Sequence, residues 1–315
     1  MPTVVDVEGL TKVYDGGARA IDGLTFQVGS GEVFGFLGPN GAGKTTTIKI
    51  LTTLLRPTSG RAEILGYDIV RDAAKVRTRI GVVQQIESYE RSLRVDQALD
   101  LYGLLWNVPR PERRRRIEDL LDDFGLRPHR NKRPPELSIG LRRRLQVARE
   151  FMHDFDVLFL DEPTVGLDPI ARRSTLDLIR SRVRSGLTVF FTTHILEEVD
   201  YLCDRVAVLN GGRVAALGTP QDLKERFGGL RTIEASFQGA DANAAIARLK
   251  ESCECESATL AADGTILLTT ANPAETFRAI LQLSDRLGLR LSHFALREPS
   301  LEQAFVRIVA NEAVT

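Results

Sequence analysis

The stretch FGFLGPNGAGKTTTIKIL, residues 34–51, decides the fold. It passes from apolar residues through a glycine-rich loop into Lys-Thr-Thr and then into a helical pattern. Residues 33–37 read as a short buried parallel strand, and a helix is expected from Lys44 to about residue 55. Between them stands G-x-x-x-x-G-K-T, as Gly38, Pro39, Asn40, Gly41, Ala42, Gly43, Lys44 and Thr45. The glycines let backbone N–H groups turn inward around an anion, in conformations a side chain hinders. A helix starting at Lys44 aims its positive end at the same anion. Lys44 adds a mobile charge for the outer phosphates, and the Thr45 hydroxyl suits Mg²⁺. The alternative is a glycine turn in an unrelated α/β protein; the flanking strand and helix count against it.

Working outward, VLFLDEP supplies the next element. Four apolar residues form a buried strand that ends in Asp161 and Glu162. In open parallel sheets, ligands sit beyond the carboxyl ends of strands. Asp161 is placed to hold Mg²⁺ through water, and Glu162 to orient or deprotonate the water attacking the γ-phosphate. Pro163 stops the strand. His194 follows VFFTT at another strand end, within reach of the γ-phosphate. Gln85 ends the strand at residues 80–83 and can reach Mg²⁺ or the attacking water. Tyr14, just before Asp15-Gly16-Gly17, reads either as an aromatic stacked on adenine or as an ordinary edge tyrosine.

Strands are also expected at residues 4–7 and 24–28. From about residue 93 to 149 the pattern is helical, with segments at 95–106, 112–124 and 141–151 separated by prolines. An α/β core interrupted by a helical insert is the simplest architecture. The expected division is 1–227 for this core, with the insert at about 90–152, and 228–315 for a second domain. The second domain reads β-α-β-β-α-β: strand 232–237, helix 241–251, strands 257–261 and 265–270, helix 273–287, strand 290–296 and helix 300–309. Asp263-Gly264 is a hairpin signal, and the order matches a ferredoxin-like split unit. It carries no cluster of catalytic residue types, so docking or regulation is the expected role.

The composition bounds the partners. The 315 residues hold 42 Lys plus Arg and 42 Asp plus Glu, a balance that argues against nucleic-acid binding by bulk charge. The run ERRRRIEDLLDD reads as a solvated helix face, its arginines followed by acids within two turns. No apolar run reaches the length of a membrane span. The start lacks a secretory pattern, and a cytosolic protein is expected. Cys203 reads as a core residue, and Cys253 with Cys255 as free thiols without the second pair a zinc site needs.

Taken together, these residues resemble the nucleotide-binding subunits of ATP-binding cassette (ABC) transporters, over about residues 3–227. GPNGAGKTT, ending in Thr45-Thr46, looks like the Walker A loop and VLFLDEP like Walker B. Gln85 looks like the Q-loop glutamine, VGLD with Asp168 like the D-loop, His194 like the switch histidine and Tyr14 like the A-loop aromatic. ELSIGLRRRLQVARE occupies the place of the signature, usually LSGGQ: Ser138 and Gly140 are kept, while Ile139 and Leu141 depart from it. The resemblance implies a RecA-like α/β core with an antiparallel β subdomain and a helical subdomain. It implies ATP and Mg²⁺ as ligands, and Ser138 and Gly140 binding the γ-phosphate of an ATP held by a second copy, or by a paralogous ATPase. It also implies a separate integral-membrane permease docked at the helical insert, with this chain peripheral on the inner face of the cell membrane.

More finely, LFLDEPTVGLDPIARR, TTHILEEVDYLCDRVAVLNGGRVAALGTP and LREPSLEQAFVRI resemble the ABC-2 exporter ATPases of the daunorubicin-resistance type. Members of that group are linked with drugs, lipids, polysaccharides or ions. Two readings of other classes stand beside the exporter subunit. One is a soluble ABC ATPase acting on ribosomes or DNA, which usually has paired cassettes or long inserts. The other is a regulator that binds nucleotide without hydrolysis, which intact Lys44, Asp161, Glu162 and His194 oppose.

Overall fold

The computed structural model describes residues 2–86, 88–183, 186–238, 246, 255–261, 263–287 and 290–312. The chain divides into two compact units, Met1–Pro220 and Gln221–Thr315. The division falls a helix earlier than the sequence reading placed it.

The first unit opens with two long strands, β1 (Thr3–Val13) and β2 (Arg19–Gly29), paired antiparallel. Both exceed the expected spans, because polar residues on their solvent side hide the alternation of Val5, Val7 and Leu10. Strand β3 (Val33–Leu37) follows and is buried throughout, then helix α1 (Lys44–Leu51). The helix stops earlier than expected: Thr53 takes φ 64°, which a helix cannot continue through.

Strands β4 (Ser59–Ile64) and β5 (Tyr67–Asp68) complete an antiparallel sheet of order β2-β1-β4-β5. After α2 (Ala73–Arg77) comes β6 (Ile80–Val83), and then helices α3 (Val95–Leu105), α4 (Arg110–Asp123) and α5 (Ile139–Glu150). The arginine run lies on α4, whose cations pair with acids: Arg113 with Asp100 at 2.6 Å, and Arg116 with Glu112 at 2.7 Å and Asp154 at 2.9 Å.

The chain then returns to the sheet through β7 (Val157–Asp161), α6 (Pro169–Val183), β8 (Thr188–Thr193), α7 (Leu196–Leu202), β9 (Arg205–Asn210) and β10 (Arg213–Gly218). The six-stranded sheet has the order β10-β9-β3-β8-β7-β6. Its five inner-to-edge strands from β9 to β6 run parallel, and β10 is antiparallel. The strands β3, β7 and β8 are buried at every residue, as strands covered on both faces are. Phe26 of β2 meets Phe34, Phe36 and Phe190 of the parallel sheet at ring-centroid distances of 5.5, 5.3 and 6.0 Å, so the two sheets share one core. Cys203 is buried in this unit, and burial pushes its thiol pKa up.

The second unit contains α8 (Pro220–Phe227, its first residue closing the first unit), β11 (Arg231–Gln238), β12 (Ser257–Leu260), β13 (Ile266–Thr270), α9 (Pro273–Leu287), β14 (Arg290–Arg297) and α10 (Leu301–Glu312). Its sheet is antiparallel in the order β12-β13-β11-β14, the arrangement of a ferredoxin-like unit. Ile233, Ala235, Ile266 and Leu268 form its core with Ile280 and Leu283 of α9. The expected helix at 241–251 lies outside the described residues except for Ile246, and so does Cys253.

Candidate active site

The phosphate loop joins β3 to α1 at the carboxyl end of the parallel sheet. Gly43 has φ 106°, and a Cβ there would meet the Ala20 carbonyl at 2.6 Å, so only glycine fits. A Cβ on Gly38 would meet the Leu209 carbonyl at 2.7 Å. Gly41 is also left-handed, at φ 84°, and the Ala42 amide donates to Pro39 O at 3.2 Å, closing the turn. The amides of Lys44, Thr45 and Thr46 open α1 and have no intrahelical acceptor. No side chain caps that end. A cleft of about 350 Å³ lies over it, lined by Asn40, Gly41, Gly43, Lys44, Thr45 and Thr46, with Ala20, Gln85 and Glu162.

Lys44 is 5% exposed. Its Nζ donates to Gly38 O at 2.8 Å and Pro39 O at 3.2 Å, and lies 3.2 Å from Glu162 Oε1. The other carboxylate oxygen of Glu162 accepts from Gln85 Nε2 at 3.3 Å and lies 3.3 Å from His194 Nδ1. The sequence reading left this carboxylate free to act on water; the structure shows both of its oxygens engaged. The ammonium explains this, since a buried carboxylate is costly without a cation. Strand β7 ends at Asp161, and Glu162 turns out of it at φ 46°, a conformation rare for a residue with a Cβ.

Thr192 holds that turn, and sequence reasoning missed it. Fully buried, its hydroxyl donates to Asp161 Oδ1 at 2.7 Å and accepts from the Glu162 amide at 3.0 Å. Its carbonyl accepts from the same amide at 3.2 Å. The signal in the sequence was a pair of threonines, Thr192 and Thr193, closing the apolar run at residues 189–191.

Tyr14 sits beside the loop, 40% exposed, with its hydroxyl 3.3 Å from Thr46 Oγ1 and Lys12 Nζ 5.6 Å from its ring centre. The structure does not bring Ser138, Gly140 or Asp168 into the cleft. Ser138 is the exposed N-cap of α5, its hydroxyl accepting from the Leu141 amide at 3.3 Å. Ile139 is 47% exposed, and a Cβ on Gly140 would crowd Ala171 at 3.1 Å. Asp168 caps α6, accepting from the Ala171 amide at 2.9 Å. The signature helix nevertheless touches the site indirectly. Arg143 donates to Gln84 O at 3.0 Å and Gln85 O at 3.1 Å, and Gln146 donates to Gln84 O at 3.0 Å and Ile86 O at 3.2 Å.

The arrangement can bind a polyanion at a backbone cradle, neutralise it with one lysine, and present a carboxylate backed by an amide and an imidazole. Asp161, 3% exposed at the end of β7, and the Thr45 hydroxyl are hard oxygen donors of the kind Mg²⁺ takes. Among the described residues no group of three or more His, Cys, Asp or Glu side chains forms a dedicated metal cage.

Comparison with known proteins agrees with this chemistry. Residues 21–165 match the ABC transporter family model. The chain is 39% identical to the daunorubicin resistance ATP-binding protein DrrA3 of Streptomyces coeruleorubidus, over 98% of this chain and 97% of that one. It is 37% identical to the Nod factor export ATP-binding protein I of Ralstonia nicotianae, over 98% and 94% of the two chains. Among solved structures, a dimeric ATP-binding cassette in a post-hydrolysis state with ADP and phosphate superposes with a TM-score of 0.62 at 26% identity, covering 68% of this chain and 98% of that one. A phosphate cradle over a buried lysine, two carboxylates at the end of β7 and likeness along nearly the whole chain lead to one assignment: the chain belongs to the ATP-binding, ATP-hydrolysing proteins of the ABC transporter family.

Proposed function

We propose that this chain powers an ABC-2 type exporter, driving efflux of a drug, lipid or other amphipathic substrate through a separate integral-membrane permease. The observation that carries the reading is the convergence of Lys44, Gln85 and His194 on the two oxygens of Glu162, at the mouth of the phosphate loop. Near-full-length likeness to a drug-resistance and an export ATP-binding protein supports the exporter class. Among the described residues no helix is long and apolar enough to cross a membrane. The reading places this chain peripherally on the cytoplasmic face, held there by its permease.

Each residue then has a task. The amides of residues 41–46, including Thr46, take the phosphates, with Pro39 and Asn40 shaping the turn. Lys44 exchanges Glu162 for the outer phosphates, and Tyr14 turns its ring to the adenine. Thr45, Asp161 and Gln85 would hold Mg²⁺, which would supply positive charge to neutralise the phosphates. Glu162, released from Lys44, accepts a proton from the attacking water, while His194 hydrogen-bonds the γ-phosphate. The α5 tip, Ser138 and Gly140, completes the site of a second copy set head to tail, with the Asp168 loop at the junction. ATP closes this pair and hydrolysis opens it, a two-state switch coupled to the permease.

The test pairs an enzymatic and a physical readout. Wild type hydrolyses ATP with Mg²⁺ and co-purifies with the membrane protein encoded beside it. Glu162→Gln still binds ATP, accumulates as a dimer and loses roughly 10²- to 10⁴-fold in kcat, the share of a general base. A wild type that binds ATP without hydrolysis, or never associates with that membrane protein, overturns the reading.

A further inference from the structure

Helix α7 begins two residues after His194 and carries two adjacent glutamates. Glu197 is exposed, as an acid in a first turn usually is, whereas Glu198 is 1% exposed. Neither contacts the phosphate loop. Glu198 accepts from two buried hydroxyls, one on each oxygen: Thr164 on Oε1 at 2.5 Å and Thr193 on Oε2 at 2.6 Å. Arg172 Nε lies 3.5 Å from Oε1.

The three partners sit on different parts of the machinery. Thr193 precedes His194, and its hydroxyl also accepts from the Ile195 amide at 3.0 Å, which fixes the turn carrying the imidazole. Thr164 follows the Glu162-Pro163 turn, and its carbonyl accepts from the Leu167 amide at 3.1 Å, inside the Val165–Asp168 loop. Arg172 lies on α6, and its amide donates to Asp168 O at 2.9 Å. One carboxylate therefore binds the loop facing the chain's own nucleotide to the loop that ends at Asp168.

We propose that Glu198 is a positioning residue that clasps the His194 turn to the Asp168 loop, so that the two nucleotide sites of a pair respond together. The clasp rests on the two-copy reading above. Burial raises the Glu198 carboxyl pKa, and the two threonine hydroxyls, Arg172 and His194 oppose that shift only in part. Buried charges with satisfied partners rigidify what they join, and removing one partner strands the rest.

Steady-state ATPase assays on the full chain test this. Misplacing catalytic groups by about 1 Å can lower rates roughly 100-fold. On that scale Glu198→Ala should reduce kcat at least about tenfold, keep the nucleotide KM within about twofold and lower the Hill coefficient. Glu198→Gln should recover most of both, because either threonine hydroxyl can rotate to accept from its amide. Thr193→Val and Thr164→Val each cut one arm of the clasp, so each should lower the Hill coefficient, with the larger loss of kcat in Thr193→Val.

A readout independent of hydrolysis guards against a variant that is merely unstable. In nucleotide-free protein, hydrogen exchange at the Leu167 and Ile195 amides should rise together in Glu198→Ala and return in Glu198→Gln. Full kcat and cooperativity in a folded Glu198→Ala protein would overturn the clasp, as would exchange rising at one amide alone. Should Glu198→Ala fail to fold, the glutamine and threonine variants decide by the same readouts. An inactive wild type whose two amides still move together sinks the transport reading and leaves the clasp standing.

Discussion

At the scale of single residues, Lys44 and Glu162 neutralise each other. The ammonium and carboxylate are both buried and sit 3.2 Å apart, a pairing that keeps either from lying uncompensated. A triphosphate in the cradle offers Lys44 more negative charge than Glu162 does, and in the proposed mechanism that exchange would free an oxygen of Glu162. Removing the lysine should thus act twice. We expect Lys44→Ala to weaken ATP binding by roughly 10- to 100-fold, the worth of one hydrogen-bonded charge of about 1.5–3 kcal/mol. It should also abolish turnover. Isothermal titration with a non-hydrolysable analogue checks the first effect and phosphate release the second; tight binding by the variant would contradict the role. The loop, the lysine and the two carboxylates were legible because their spacing is local: eight consecutive residues make the cradle, and the acids directly end an apolar run. Thr192 and Glu198 were not legible, since what they touch depends on which strands lie side by side. Thr192 reaches Asp161 only because β8 pairs with β7 in register, Asp161 opposite Thr192.

At the scale of elements, two joints hold the site's platform. The first is the aromatic cluster between the sheets. Phe190 of β8 is fully buried, with Phe36 at 5.2 Å, Phe159 at 5.4 Å and Phe34 at 5.7 Å. Phe190→Ala leaves a cavity no neighbour can close, and about 3–5 kcal/mol of stability should be lost, measurable as a lower urea midpoint. The second joint ties the helical insert to the sheet. His153, 7% exposed, stacks on Trp106 at the end of α3, 3.8 Å between ring centres, and its Nε2 lies 3.4 Å from the Ile80 carbonyl where β6 begins. Burial holds its pKa below the ordinary 6.5. The folded state therefore favours neutral imidazole. The stability this gives is fully present above about pH 6.5 and is lost as pH falls through the lower folded value. His153→Phe keeps the stack and removes the titration. Relative to that variant, wild type should lose stability between pH 7 and 5 in denaturant melts, and parallel pH profiles would refute the assignment. Short strands such as β3, β6 and β7 were readable as apolar runs, but β4 was not. Its exposed Arg61 and half-buried Glu63 alternate with buried Ala62 and Ile64, and so short an alternation is weak without its partner strand.

At the scale of the whole molecule, two units each carry a hydrophobic core of their own. The nucleotide cleft lies wholly within the first, between the phosphate loop and the ends of β6 and β7. A ligand that binds only the folded state stabilises what it binds, by about 2.7 kcal/mol at a hundredfold excess over Kd. The described residues that line that cleft all belong to the first unit, so bound ligand stabilises that unit directly. Calorimetry of the full chain should accordingly resolve two transitions. The one belonging to the first unit should rise by roughly 5–11 °C at such an excess of ATP in Glu162→Gln, where hydrolysis does not deplete the ligand, by the scaling of about 2–4 °C per kcal/mol for units of this size. The second should stay in place. Its owner can be identified independently: substituting Leu268, fully buried in the β13 strand, by alanine should lower the second transition alone. If ATP raised both transitions equally, the second unit would be energetically part of the nucleotide switch, and its antiparallel sheet would have to be counted among the elements that the bound triphosphate sets.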